Sequence, residues 1–342
     1  MHSVDELLLQ YCCTLAWEHQ TLALPNPSVG AVVVAPDGRI IGTGVHIIAG
    51  SPHAEVLAIQ KAYYELTQDK EILFYQSSAD IHQYILNHHQ GIFSQCSLYV
   101  SLEPCNHQGK TPPCATLIAA LCFAKVCIAH SESNALATGG LAHLLKHNIN
   151  AFITQSSAIK HYAKSLLLPF EILRTKGRFV LFKLAQRLDG SYKNGRISCQ
   201  DSRIFTHNQR SVCDYICISG ATLRADNPKL NARYATPPYN SLAAPQVLVF
   251  SHLLQQLSES NPALLHRVHF SSNILDVRDL KGFIIIEGGL SLLESMREEI
   301  DMLLLLKSPY TIQNEEMRTS FDEHFTLIAQ MSIGEDIALW LV

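Results

Sequence analysis

A histidine, a glutamate two residues behind it and two distant cysteines carry the chemistry of this chain. They occur as Pro52-His53-Ala54-Glu55, then Glu103-Pro104-Cys105 and, behind Pro112-Pro113, Cys114. Zinc prefers imidazole and thiolate ligands, and a catalytic zinc takes three protein ligands and keeps a fourth position for water. His53, Cys105 and Cys114 meet that count. Such a metal lowers the pKa of water toward neutrality. Glu55, not itself a ligand, stands within one helical turn of His53. It can take the proton and deliver it to a ring nitrogen and a departing amine, and a desolvated carboxyl with a raised pKa suits that shuttle. One His, two Cys and a non-ligand Glu form the working set for hydrolytic deamination of nucleobase-like rings. His-x-Glu alone is common, and so is a Pro-Cys pair; together and in this order they point to a catalytic zinc. A structural zinc would recruit a fourth protein ligand. His107 is a candidate for that place, so the structural alternative stays open.

The elements that must position these groups follow from patterning. Val4–His19 has apolar positions at helical spacing and runs into the rigid Pro25-Asn26-Pro27. Gly30–Val34 and Ile40–Val45 flank the hairpin signal Asp37-Gly38. Ser51-Pro52 suits a helix start, with Ser as cap and Pro at the first position, which places His53 and Glu55 in the first turn. Residues 68–93 carry several His and Gln residues and no motif, and read as an insertion before a strand at Cys96–Ser101. Cys114–Leu121 and Gly140–His147 read as helices around a strand at Lys125–Ala129. This alternation predicts a layered α/β domain over residues 1–150. A connector is expected over 151–177, where Pro169 and the basic stretch 174–178 interrupt the pattern. A second strand-rich domain is expected over 178–342, with strands at Phe179–Leu184, Asp214–Ser219, Gln246–Ser251 and Gly282–Ile286.

Bulk properties narrow the function. The 342 residues suit two cores, and 47% hydrophobic content suffices to fill them. Net charge is −4, and no Lys/Arg run forms a nucleic-acid stripe, so a small substrate fits better than a polymer. Met1–Gln20 carries Asp5, Glu6 and Glu18 where a secretory leader would be basic and then apolar. The apolar run Met302–Leu306 is too short to span a bilayer. A cytoplasmic protein without membrane or nucleic-acid partners is therefore expected. In that reducing setting most of the ten cysteines act as small hydrophobes. Cys12, Cys13, Cys122, Cys127, Cys213 and Cys217 are expected to be buried; Cys96 and Cys199 carry no assignment.

Longer stretches resemble a known family. Pro25-Asn26-Pro27-Ser28-Val29-Gly30, Gly44-Val45-His46, Ala49 to Glu55 and the run Ser101 to Cys114 are similar to the bifunctional riboflavin biosynthesis deaminase/reductase family. Eight residues separate the two cysteines, where most zinc deaminases have two, and His107-Gln108-Gly109-Lys110-Thr111-Pro112-Pro113 belongs to that family's pattern. The resemblance implies a cytidine-deaminase-like three-layer α/β/α domain followed by a dihydrofolate-reductase-like α/β domain. It implies loss of the 2-amino group from a diaminopyrimidinone ribosylamine 5′-phosphate, and substrate contacts at Asn26, His46, Lys110 and Asn134. Where the family has Asp-Pro-Asn-Pro, this chain has Ser131-Glu132-Ser133-Asn134.

The second half extends the resemblance through Phe182-Lys183-Leu184, Leu188-Asp189-Gly190, the run Ala221–Leu230 with Arg233, and Glu287-Gly288-Gly289. It implies reduction of the ribosyl group by NADPH. Cofactor contacts fall to Lys183, Ser198, Thr222, Asp226, Gly288 and Gly289. Substrate contacts fall to Arg210, Leu230, Arg233 and Glu287, with Arg210 and Arg233 on the phosphate. Glycines at a strand end let backbone N–H groups approach a phosphate. The family's Trp-containing cofactor segment is shortened here to Asn194-Gly195-Arg196-Ile197-Ser198. Three readings follow: a two-step enzyme with zinc and NADPH acting as a homo-oligomer, a deaminase with a silent second domain, or a zinc-stabilised nucleotide-binding protein without catalysis. A cytidine or tRNA deaminase would need the shorter Cys-x-x-Cys spacing.

Overall fold

A computed structural model describes the chain apart from residues 1–2, 108, 110, 135–136, 194, 252–263, 265 and 312–323. It divides into two compact units, Met1–Leu168 and Pro169–Val342.

The first unit opens with helix α1 (Val4–Trp17), capped reciprocally by Ser3 and Glu6. Strands β1 (Gly30–Val34) and β2 (Ile40–Val45) form the expected hairpin. There follow α2 (Ala54–Thr67), α3 (Ser78–His88), β3 (Ser97–Val100), α4 (Cys114–Ala120), β4 (Lys125–Ile128), α5 (Gly140–Lys146), β5 (Ala151–Ile153) and α6 (Ser157–Lys176). The sheet order is β2-β1-β3-β4-β5, antiparallel around β1 and parallel beyond β3. Successive side chains alternate faces. Ala31, Val33, Leu98 and Val100 join the apolar core shared with α2, α3 and α4. Tyr99, on the other face, reaches Asp5 of α1, with its hydroxyl 2.6 Å from the carboxylate, and Lys125 pairs with the same Asp5 at 2.7 Å. Helices thus cover both faces of the sheet.

Close approach fixes the start of α2. A Cβ on Gly44 would lie 2.0 Å from the Ala54 carbonyl oxygen, so only glycine lets β2 meet the helix end that carries His53 and Glu55. Residues 68–93 belong to this core. They fold as a 3-10 turn (Lys70–Phe74) followed by α3, and Ile72, Ile81, Ile85 and Phe93 are fully buried in it. At about 1.5–3 kcal/mol per large apolar side chain, that burial makes the segment part of the fold.

Three local expectations give way. Helix α2 is capped at His53, not Ser51, whose hydroxyl donates to the Ile48 carbonyl at 2.7 Å. Pro169 does not end a helix: α6 passes through it to Lys176, so the stretch 151–177 holds a strand and a long helix. Proline removes only one N–H there, and buried Ala163, Leu166 and Leu167 anchor the preceding turns. Cys122 is exposed beyond the end of α4, whereas Cys12, Cys13, Cys127, Cys213 and Cys217 are buried as expected, together with Cys96 and Cys199.

The second unit contains β6 (Arg178–Arg187), α7 (Gln200–Val212), β7 (Tyr215–Ser219), α8 (Gly220–Asp226), β8 (Gln246–Phe250), β9 (Val268–Ser271), β10 (Gly282–Glu287), α9 (Leu290–Ser295), β11 (Met302–Ser308), β12 (Leu327–Ile333) and β13 (Asp336–Leu341). Among the described residues the sheet order is β12-β13-β11-β6-β10-β7-β8-β9. β11 through β9 run parallel, and β13 and β12 are antiparallel. Val180, Phe182, Ile284 and Ile286 fill its core. Central parallel strands are covered on both faces, which is why they read as continuous apolar runs. Among the described residues no helix is long and apolar enough to cross a membrane.

Candidate functional site

The three expected metal ligands converge. Nδ1 of His53 lies 3.6 Å from Sγ of Cys105 and 3.4 Å from Sγ of Cys114, and all three donor atoms fall within 4.8 Å of one another. A tetrahedral zinc with Zn–N about 2.0–2.1 Å and Zn–S about 2.3 Å places N and S about 3.5 Å apart. The donor set therefore fits zinc in both chemistry and spacing. His53 comes from the cap of α2, Cys105 from the loop after β3 and Cys114 from the first turn of α4. The Cys114 amide donates to Cys105 Sγ at 3.5 Å. His107 is exposed and, among the described residues, lies outside the ligand group, which holds three members.

Electrostatics match the assigned roles. The hydrogen bond with Cys114 and the neighbouring His53 pull the Cys105 thiol well below its ordinary range, while the same contact and burial push Cys114 up. Burial opposes charge on His53, yet Cys105 and Glu55 together raise it. Glu55 is 4% exposed, and burial raises its carboxyl above the ordinary range. A protonatable carboxyl thus stands beside the thiolates.

A second layer holds this centre. Glu103 is buried, and its two oxygens accept from the amides of Leu141 at 2.9 Å and Glu132 at 3.2 Å. It ties the Cys105 loop to α5 and to the loop after β4. A Cβ on Gly140 would lie 1.9 Å from the Pro104 carbonyl, which shows how tightly that loop is clamped. Asn26 Nδ2 donates to His46 Nε2 at 3.1 Å, which leaves Nδ1 of the neutral ring to donate to the Pro52 carbonyl at 3.2 Å. Burial keeps His46 neutral, its pKa dropping to about 4. The His46 and His53 rings meet edge to face at 5.4 Å. Asn26 and His46 are therefore brought to the metal ligands. The Asn134 carbonyl accepts from the Ala137 and Thr138 amides, and the Ala137 carbonyl in turn accepts from Asn106, beside Cys105. Lys110 lies outside the described residues. His82, from α3, is buried beside this group; burial drops its pKa to about 4, and it senses the charges of Cys105 and His53.

In the second unit the register sets Glu287, at the carboxyl end of β10, beside Lys183 in the middle of β6. In open α/β sheets, ligands bind outside the carboxyl ends of the strands. Arg210, expected on a phosphate, instead grips Glu287 through two bonds of 2.8 and 2.6 Å, and both side chains are largely buried. Burial alone would raise Glu287; Arg210 and Lys183 hold it down to about 2. Burial lowers Lys183. That pair takes Nε and Nη2 and leaves Nη1, 3.5 Å from His207 Nε2. Arg203 and Arg233 lie over the Tyr234 ring at 4.9 and 4.8 Å, and neither forms an ion pair among the described residues. His207 stacks edgewise on the same ring, its pKa lowered to about 3 by burial and by Arg210, Arg233 and Arg203. Sequence reasoning missed Arg203.

The remaining expected contacts scatter along that edge. Thr222 Oγ1 is 3.0 Å from the Ser219 hydroxyl at the start of α8, and Asp226 is exposed at its end. Leu230 is 2% exposed, so its side chain is a core group; its carbonyl lies 3.4 Å from the Arg267 guanidinium. Ser198 lends its carbonyl to Arg196. Gly288 and Gly289 precede α9, and a Cβ on Gly289 would lie 2.5 Å from the Tyr192 ring. The glycine is needed there for packing within the chain.

Comparison with known proteins agrees with this architecture. The family described as the cytidine and deoxycytidylate deaminase zinc-binding region matches residues 2–130, and the RibD C-terminal domain matches residues 178–333. The riboflavin biosynthesis protein RibD of Synechocystis is 31% identical over 233 residues, which span 66% of this chain and 55% of that relative. The RibD protein of Mycobacterium tuberculosis is 28% identical over 84% of this chain and 79% of its own length. That of Aquifex aeolicus is 26% identical over 99% and 90%. Among solved structures, a diaminohydroxyphosphoribosylaminopyrimidine deaminase/5-amino-6-(5-phosphoribosylamino)uracil reductase of Thermotoga maritima shares the fold, with TM-score 0.63 and 23% identity over 98% of both chains. RibD of Acinetobacter baumannii gives 0.61 and 23% over 99% and 98%. The expected pair of folds, deaminase-like then reductase-like, is the one present.

Proposed function

We propose that this chain, which belongs to the RibD family of riboflavin biosynthesis proteins, performs two consecutive steps on one phosphorylated pyrimidine. The first unit hydrolyses the 2-amino group of 2,5-diamino-6-(5-phosphoribosylamino)pyrimidin-4(3H)-one. The second reduces the ribosyl group of the resulting 5-amino-6-(5-phosphoribosylamino)uracil to ribityl. The convergence of His53, Cys105 and Cys114 beside the buried Glu55 carries this reading.

His53, Cys105 and Cys114 would hold a zinc ion, which would supply the Lewis acidity by which water loses a proton near neutral pH. Glu55 would take one proton from the water and give it to the ring nitrogen, then take the second from the hydroxyl added to the ring carbon and give it to the departing amine. A carbon–oxygen bond forms, the carbon–nitrogen bond breaks and ammonia leaves. His46, bonded to both Asn26 and Pro52, holds the Asn26 carboxamide ready to bind the ring. Asn134 and Lys110 complete the substrate contacts.

In the second unit a bound NADPH would supply the hydride that C1′ of the sugar gains as its bond to the ring oxygen O4′ opens and that oxygen takes a proton from solvent. Lys183, Ser198, Thr222, Asp226, Gly288 and Gly289 hold the cofactor. Arg233, joined by Arg203, takes the substrate phosphate, since a guanidinium fork matches phosphate oxygens. The Arg210–Glu287 pair keeps a carboxylate charged beside Lys183. A cytoplasmic homo-oligomer goes with this reading.

A two-step assay on purified protein tests it, scoring ammonia release and NADPH consumption separately. Chelation is expected to abolish the first and zinc to restore it. Glu55→Gln is expected to cut ammonia release about 10²- to 10⁴-fold with zinc content unchanged. Full activity in metal-stripped protein, or in the variant, overturns the first step. NADPH turnover no higher than background with the deaminated intermediate overturns the second.

A further inference from the structure

We propose that Asn208 is a positioning residue for the substrate phosphate in the second unit: it clamps the segment 233–236 onto α7 and so holds Arg233 beside Arg203. The proposal rests on the reductase reading above. Asn208 lies on α7, is 8% exposed, and bonds to a residue 28 positions further along the chain. Its Oδ1 accepts from the Thr236 amide at 2.9 Å, and its Nδ2 donates to Thr236 Oγ1 at 3.3 Å. Both ends of one buried carboxamide are thus engaged by a single residue of the segment. Arg203 and His207, four apart on the same helix, share a face. Both meet the Tyr234 ring, the guanidinium at 4.9 Å and the imidazole edge to face at 4.9 Å. The Tyr234 amide lies 3.5 Å from His207 Nδ1. Arg233, next to Tyr234 in the chain, lies over the same ring at 4.8 Å, and its Nη1 donates to the neutral Asn231 side chain at 2.9 Å. Two guanidinium groups at one ring repel each other. Among the described residues neither has a carboxylate partner to offset that repulsion. They stay together only where the fold holds them or an anion bridges them. The Asn208 bonds do the first, and a phosphate matches the guanidinium forks for the second. Releasing Thr236 frees Arg233 to swing away from Arg203.

The test uses the full chain and compares wild type, Asn208→Ala, Arg233→Ala and the double variant, with thermal unfolding to check that each is folded. KM and kcat for NADPH oxidation are measured with the deaminated intermediate and with the same compound lacking its phosphate. Asn208→Ala is expected to raise KM for the phosphorylated compound about 10-fold. It should leave kcat, and the KM of the phosphate-free compound, unchanged. In the Arg233→Ala background the same change is expected to add nothing, because a residue that acts through Arg233 then has nothing to position. Asn208→Ser, whose shorter side chain does not span to Thr236, repeats the comparison should the alanine variant not fold. An unchanged KM in a folded Asn208 variant would overturn the proposal. So would equal losses on the two compounds, or fully additive losses in the double variant. Arg233→Ala with the wild-type KM would remove the phosphate role of that arginine and the proposal with it. Wild-type protein that oxidises no NADPH would refute the reductase reading, and calorimetric Kd values for the two compounds then decide the role of Asn208 by the same comparison.

Discussion

Replacing Arg210 by methionine should destabilise the second unit by about 3 kcal/mol at pH 7. Arg210 gives two charge-assisted hydrogen bonds to Glu287, at 2.8 and 2.6 Å, with both side chains about 15% exposed or less. The carboxyl of Glu287 falls from its ordinary 4.5 to about 2 on folding. At roughly 1.4 kcal/mol per tenfold change in proton affinity, that fall contributes about 3 kcal/mol at neutral pH. Breaking a buried pair by removing one partner costs about 3–5 kcal/mol, and Lys183 beside Glu287 moderates the loss. The sign follows from the depressed pKa: the stabilisation is complete above the ordinary carboxylate range and is lost as pH falls toward 2. The difference between variant and wild type should therefore shrink as the pH drops below about 4.5. Each unit holds one of the two tryptophans, Trp17 and Trp340, both buried. In a Trp17→Phe background, fluorescence of Trp340 during urea unfolding reports on the second unit alone. A loss below about 0.5 kcal/mol, or one equal at pH 7 and pH 4, refutes the argument.

Three further outcomes are expected. If Asn26 binds the ring as proposed, Asn26→Ala removes one hydrogen bond worth about 0.5–1.5 kcal/mol; KM for ammonia release should rise about 3- to 10-fold, and an unchanged KM excludes ring recognition by Asn26. Gly44→Ala sets a Cβ 2.0 Å from the Ala54 carbonyl; forcing α2 off β2 should cost about 1–3 kcal/mol and lower zinc affinity, seen by calorimetry and chelator competition. If Arg203 grips the phosphate as proposed, Arg203→Ala removes a charge-assisted contact of about 1.5–3 kcal/mol, so KM in the NADPH-coupled assay should rise at least 10-fold while ammonia release is unaffected.

The metal centre was legible because its residues fall in two short motifs whose types fix their chemistry. Glu103 belongs to one motif, yet its work was hidden: its partners Leu141 and Glu132 are backbone amides far along the chain. Arg203 looked like any charged residue on a helix; only the fold brings it to Tyr234 and Arg233. Arg210 shows the same limit, since nothing local reveals that Glu287, 77 residues away, takes its Nε and Nη2. Ile81 and Ile85 of α3 are spaced as a helical face should be, but the surrounding His and Gln residues obscured it. Pro169 suggested a break because a proline signals one locally, whereas packing of the preceding turns carried the helix through.

Helix α6 determines where this protein can be dissected. Its Ile159, Ala163, Leu166 and Leu167 are buried in the first unit, and Tyr162 stacks on Trp17. The Leu166 carbonyl accepts from Gln20 Nε2 at 2.7 Å, while Gln20 Oε1 of the same side chain accepts from the Thr21 amide and the Ser28 hydroxyl. Those bonds brace the stretch that presents Asn26. A half-length protein stopped at residue 150 would keep His53, Cys105 and Cys114 but lose that brace, so it would bind zinc while handling its pyrimidine poorly; an autonomous deaminase fragment has to extend at least to Leu168.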